Sequence, residues 1–280
     1  MADPAALSPL AELARRNDPD RFLCALFAPP AQREILFLLV AFNHELARAR
    51  QAASNTMTAL IRLQWWRDAV DEAATDAPPR RHEVATPLAA ALREGRLDGE
   101  TLQGMIDARE AEMEEDIPSL PALLAYLRGS AGGFSVAAGR ALGAGPEHLA
   151  GLQALGAAYG MAALLRGIPS QAMQGRSLLP ADLLAERKLT PSDAARDPRQ
   201  NGTAEVVRAL AAEGQRLLAE GRARAKGLPR PALAAALPAR LAARDLARLA
   251  STANDPAQPP PPRGLGDRLA VIWGGMVGRG

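Results

Sequence analysis

At 280 residues the chain is long enough for one large domain or two small ones, and 48% hydrophobic residues exclude global disorder. The 33 Lys and Arg against 31 Asp and Glu leave a formal net charge of +2, too balanced for a nucleic-acid footprint. Alanine, the strongest helix former, is the commonest residue, aromatics are 4%, and the lone Cys24 excludes a disulfide framework or a cysteine-built zinc site.

Residues 1–20 carry acids early and no apolar core, so no secretory signal is expected there. Asp18-Pro19-Asp20 caps a helix over 21–27, and Pro29-Pro30 restarts the chain. A long helix fits 31–53, with Ile35, Leu38, Leu39, Phe42 and Leu46 on one face. A second fits 57–74, with Leu63, Trp66 and Val70 inward. A loop at 77–81 precedes helices over 84–93 and 98–115. The two most apolar helices are 122–141 and 147–168. Glycines in the first, including Gly132 and Gly139, point to close helix–helix approach around a cavity. The charge-free run 148–165 is nearly long enough to cross a bilayer, but its Ala and Gly read as a buried helix. A loop at 175–180, a short helix over 181–186 and a polar, exposed 193–203 follow. Basic amphipathic helices fit 204–226 and 231–251, the second broken at Pro238. A Pro-rich linker leads to a short helix over 267–276. The fold class is all-α, with residues 1–254 as one multi-helix domain and 255–280 as linker plus a C-terminal helix packed on it.

His44, His82 and His148 are too scattered for a metal site; His82 and His148 read as surface residues. Asp107, Glu110 and Glu114, at spacings of three and four, admit a metal cluster or, more simply, a solvated acidic face. Trp65 and Trp66 are adjacent, so Trp66 suits the core and Trp65 a partner-contacting surface.

Residues 41–50 (AFNHELARAR) and 61–68 (IRLQWWRD), with Leu165-Arg166-Gly167 and the 175–180 segment GRSLLP, resemble the squalene/phytoene synthase family over most of the chain. The resemblance implies a single helical bundle around a central cavity. Active members join two isoprenoid diphosphates head to head, using Mg²⁺ held by paired aspartates on facing helices. At the first aspartate signature this chain has Asn43, His44, Glu45, Leu46, Ala47, Arg48 and then Gln51; at the second, Gly167 and Gln171. Both acid sets are lost, so no catalytic residue and no resident cofactor are expected. Mg²⁺ belongs only to the alternative, an active head-to-head prenyl diphosphate transferase.

Phe42-Asn43-His44-Glu45-Leu46 and Leu165-Arg166-Gly167-Ile168-Pro169 resemble a divergent branch of the family that serves respiratory complex I assembly. That resemblance implies a non-enzymatic, cytoplasmic protein, peripheral on the inner membrane. It implies a protein partner among respiratory-complex subunits, room for an isoprenoid or lipid ligand, and no nucleic acid. Arg48, Arg62, Arg166 and Arg176 are the candidate anion or lipid-phosphate ligands, with ion pairing to acids such as Asp182 as the simpler role for Arg166 and Arg176. The Arg-rich 204–250 segment suggests weak, salt-sensitive membrane contact, weighed against a core-packed pair with a solvated basic face.

Overall fold

The computed structural model describes residues 7–53, 55–75 and 78–278; residues 1–6 and Ala77, at the start of the expected 77–81 loop, lie outside these. Along the chain run α1 (Pro9–Asn17), α2 (Pro19–Ala25), α3 (Arg33–Gln51), α4 (Thr56–Ala73), α5 (Ala85–Arg93), α6 (Gly99–Ala108), α7 (Leu120–Leu127), α8 (Gly133–Ala141), α9 (Pro146–Arg166), α10 (Ile168–Met173), α11 (Ala181–Ala185), α12 (Pro191–Arg196), α13 (Asn201–Arg224), α14 (Leu233–Ala236), α15 (Pro238–Leu249) and α16 (Leu265–Val277). No strand occurs among the described residues. The helices begin where the side chains dictate. Ser8, Asp18, Asn55, Asp98 and Ser119 each accept a hydrogen bond from a first-turn backbone N–H of the helix they precede.

The bundle is wrapped around α9. Its one charge-free stretch is long and apolar enough to cross a membrane, but 78% of that stretch is buried inside the protein. The packing partners of α9 are chiefly α13, α15, α8 and the turn before α8. Close approach requires glycine at Gly156, where a Cβ would collide with the Ala131 carbonyl oxygen, a backbone atom that cannot yield.

Two expectations need correcting. The helix expected over 122–141 is broken: α7 runs into a wide π-helical turn, Arg128–Gly132, before α8 resumes. The Ser130 hydroxyl donates to the Tyr126 carbonyl at 2.6 Å, taking an acceptor that the ladder would otherwise use. The stretch 193–203 is not wholly exposed. Thr190 and Asp193 cap α12 reciprocally, burying Ala194 and Ala195, and Thr203 is fully buried.

A chain of ion pairs fastens the C-terminal segment. Arg166 of α9 donates to the buried carboxylate of Asp245 at 2.9 Å, and Arg263 donates to Asp245 at 2.8 Å and to Asp20 at 2.9 Å. Arg244 and Arg248 of α15 both reach Asp267 of α16, at 2.7 and 2.8 Å. Burial alone would lower the pKa of Arg263; its bonds to Asp20 and the charges of Asp20 and Asp245 carry it well above the usual value instead. The apolar positions of α13 and α15 are buried, so the 204–250 pair presents no apolar face for membrane insertion.

Candidate functional site

A cleft of about 630 Å³ opens between α3 and the start of α10. Ala47, Arg50 and Gln51 form one wall; spacings of three and four put them on one face of α3. Gly167, Ser170, Gln171 and Gln174 form the facing wall. The fold thus brings Ala47 and Gln51 across one cleft from Gly167 and Gln171, four of the positions at which the family resemblance led one to expect acids. None of the four carries a charge. Gln171 is committed to the local turn: its Nε2 donates to the Leu164 carbonyl and its Oε1 accepts from the Leu178 N–H.

The charges in the cleft are inverted relative to a metal site. Arg50, Arg109 and Arg176 line it, against one carboxylate, Glu112. Glu112 is already engaged: Arg109 Nη1 and the Tyr126 hydroxyl both donate to its Oε1 at 2.6 Å. The buried Arg109 also donates to Asn43 Oδ1 at 2.9 Å. Burial, then the charge of Glu112, drives the Tyr126 hydroxyl pKa upward, so Tyr126 stays a donor. Arg176 donates to the carbonyls of Glu112 and Glu114, both at 3.1 Å, and has no carboxylate partner among the described residues. Burial, then the charge of Arg50, lowers the Arg176 pKa; the two guanidinium groups repel one another. The Nε of Arg50 is buried without a hydrogen-bond partner. These residues do not fit a Mg²⁺–diphosphate cluster, which needs several carboxylate oxygens facing each other. Among the described residues no group of three His, Cys, Asp or Glu side chains is placed to hold a metal. Arg50 and Arg176 do suit an oxyanion, which two guanidinium groups without carboxylate partners would bind directly.

Behind the cleft lies a chamber of about 180 Å³ that shares Arg109, Tyr126 and Leu178 with it. The π-helical turn supplies Ser130 and Ala131 to its wall, and α9 supplies Tyr159, Gly160, Ala163 and Leu164. Arg21 projects into the same wall, 4.1 Å from the Phe134 ring and 5.0 Å from the Tyr159 ring. Such a volume suits roughly a benzene-sized group, a small fraction of two isoprenoid chains.

Of the four arginines singled out in the sequence, only Arg176 lines the cleft. Arg166 is turned away onto Asp245. Arg48 pairs with Glu45 at 3.2 Å and, with the exposed Arg62, borders a separate groove of about 260 Å³ against Trp65, Trp66 and His82. Asp182 pairs with neither Arg166 nor Arg176; it accepts from the Leu120 N–H. His44 is half-buried outside the cleft, its pKa lowered by burial. Trp66 is in the core, edge-on to Phe42. Trp65 lines the open groove beside Arg48 and Arg62. Arg80 lies 5.0 Å from its ring and His82 packs on both indoles, leaving Trp65 half-buried. His148 is buried, not a surface residue, because Pro146 starts α9 before it and turns it inward. Asp107 and Glu110 form an exposed acidic face, both taken by Arg67 at 2.8 and 2.6 Å. Arg50 and Arg109 escaped the sequence reading. Arg50 was legible as the residue three beyond Ala47; Arg109 was hidden among acids that point the other way.

The sequence model for squalene/phytoene synthase matches residues 14–265. The chain belongs to the squalene/phytoene synthase family. Within the family, the chain is 28% identical over 220 residues to the Bos taurus protein named NADH dehydrogenase (ubiquinone) complex I, assembly factor 6, covering 78% of this chain and 66% of that protein. The Homo sapiens protein of the same name is 26% identical over the same shares. The chain therefore spans about two thirds of the length of these relatives. A presqualene diphosphate synthase of Sinorhizobium fredii is 29% identical over 168 residues, 59% of each chain. In three dimensions a dehydrosqualene synthase in complex with ligand superposes with a TM-score of 0.80 at 11% identity, covering 96% of this chain and 94% of that one. The squalene synthase HpnC from Alicyclobacillus acidocaldarius gives 0.67 at 20% identity, over 96% and 92%. The all-α isoprenoid synthase fold is common to all three.

Proposed function

We propose that this protein is a non-catalytic member of its family that acts by binding, in the assembly of respiratory complex I, with its cleft serving as a metal-free seat for a compact phosphate-type anion. The observation that carries the reading is the charge inversion: Ala47, Gln51, Gly167 and Gln171 face each other where paired acids would stand, and Arg50 and Arg176 lie between them without carboxylate partners. The relatives named as complex I assembly factors support the assembly role, with subunits of that complex as the protein partner. The small chamber behind the cleft argues against a pair of long prenyl chains as cargo.

The test has three arms. Incubation of the purified protein with farnesyl diphosphate and Mg²⁺ should yield no head-to-head coupled product. Product above a no-protein control would restore the transferase reading that the presqualene diphosphate synthase relative represents. Inorganic diphosphate in EDTA should raise the melting temperature, and Arg50→Gln or Arg176→Gln should each weaken its binding by roughly ten- to hundredfold, the worth of one charge-assisted contact. Stabilisation that appears only with Mg²⁺ would overturn the metal-free assignment. Recovery of complex I subunits with the tagged protein tests the partner.

A further inference from the structure

The outer face of α16 is apolar and uncovered. At roughly 100° per residue, Leu265, Leu269, Ile272, Trp273 and Met276 fall within an arc of roughly 100°. Leu265 is 78% exposed, Leu269 59%, and Trp273 and Met276 67% each. The opposite face of the same helix is the one packed on the protein: Asp267, Val271 and Gly274 are buried, and Gly275 lies close against Phe27. A helix apolar on both faces needs a cover on both, and α15 and α2 provide only one.

The charges around this stripe say what the cover is. The only acid of α16, Asp267, is buried and held by Arg244 and Arg248. Arg268 is exposed beside the stripe. Where the helix ends, Gly278 borders a cleft of about 390 Å³ whose charged wall residues are Arg222, Lys226 and Arg240, with no acid among them. An exposed apolar stripe carrying a tryptophan and edged by cations is complementary to an anionic lipid surface: the side chains enter the acyl boundary, the indole sits at headgroup level, and the cations meet phosphate. The helix has 13 residues, about 20 Å of length, so it lies in the interface instead of crossing it. A second copy of the chain would bring the same cations face to face with these, which disfavours self-association through the stripe.

From this arrangement we infer that α16 and the adjoining Arg222–Lys226 cleft dock the protein on an anionic membrane surface. The inference is independent of the anion seat in the α3–α10 cleft, and either can fail alone. It is tested by flotation of the full chain with phosphatidylcholine vesicles, with and without phosphatidylglycerol. The protein should float with anionic vesicles at low salt and remain at the bottom with zwitterionic ones. Leu269→Glu combined with Trp273→Glu should lower the bound fraction about tenfold or more. These side chains are exposed, so circular dichroism should show an unchanged fold. Arg222→Gln with Lys226→Gln should weaken binding and flatten its salt dependence. Failure of the wild type to float with anionic vesicles, or flotation of the Leu269→Glu/Trp273→Glu variant equal to wild type, overturns the proposal. So does light scattering that shows a dimer which that double variant dissolves, since the stripe would then belong to a second copy.

Discussion

Arg50 is where the cost of the cleft is concentrated. Its guanidinium faces Arg176, its Nε is buried without a partner, and no carboxylate is paired with it among the described residues. In the absence of an anion such a group destabilises the fold. Arg50→Met keeps an unbranched stem of similar length and removes the charge. It should therefore raise the stability of the anion-free protein by about 1 kcal/mol in urea unfolding while weakening the response to diphosphate as Arg50→Gln does. A loss of stability in this variant would mean that Arg50 is held by contacts and not waiting for a ligand. The tryptophans divide differently. Trp66 is 4% exposed against Phe42, so Trp66→Ala should cost about 3–5 kcal/mol. Trp65 gives up only a half-covered face and the Arg80 contact, and its truncation should cost about 1–2 kcal/mol. Equal losses at the two positions would place both indoles in one core.

Among the elements, α9 depends on how closely its neighbours approach. Gly156→Ala pushes a methyl into the Ala131 carbonyl and the Ser135 side chain, and should destabilise by about 1–3 kcal/mol. Gly104 of α6 has open space around its would-be Cβ, so Gly104→Ala should be neutral or stabilising by up to about 1 kcal/mol. Thermal unfolding of the two variants checks both, and a destabilising Gly104→Ala would contradict the local geometry. Helix positions were readable because capping side chains and prolines mark them: Asp18-Pro19 starts α2, and Pro238 separates α14 from α15. The π-helical turn was not readable. It arises from the back-bond of Ser130 to Tyr126, which competes with a helical pattern that continues unbroken in the sequence. Nor was the inward turn of Arg109. The helix period over 98–115 lines it up beside Asp107 and Glu110, but α6 ends at Ala108 and the tighter turn Arg109–Glu112 re-aims it. Arg176 and the positions expected on each wall of the cleft were legible from family resemblance, whereas the placement of Arg50 and Arg109 beside them required the fold. For α16 only a short packed helix over 267–276 was legible, because a sequence does not say which of two apolar faces the protein covers.

Taken whole, the molecule is closed by the ion pairs that tie α2, α9, α15 and α16 through Asp20, Asp245 and Asp267, and the pairs on Asp267 make the docking of α16 pH-dependent. Burial by itself would raise the pKa of Asp267; the bonds from Arg248, Arg244 and the Gly264 N–H outweigh it and hold the carboxyl below its ordinary range. A carboxyl whose folded pKa is depressed stabilises the fold fully above its unfolded value, about 3.9 for Asp. That contribution is lost as pH falls from there through the folded value. Docking of α16 should accordingly hold at neutral pH and weaken below about pH 4. Hydrogen exchange of the α16 amides, followed from pH 6 downward after correction for intrinsic rates, should show their protection falling ahead of that of α9, whose buried residues are mostly apolar and whose one link to the ion-pair chain is Arg166 at its end. Asp267→Asn can still accept from the Gly264 N–H but forms no ion pair with Arg244 or Arg248. It should weaken α16 at pH 7 and remove most of this acid dependence. Should α16 and α9 lose protection together in the wild type, or should Asp267→Asn leave the acid profile unchanged, the C-terminal helix would be held by its apolar inner face, Val271 and Gly274, and the carboxylate would be incidental to closure.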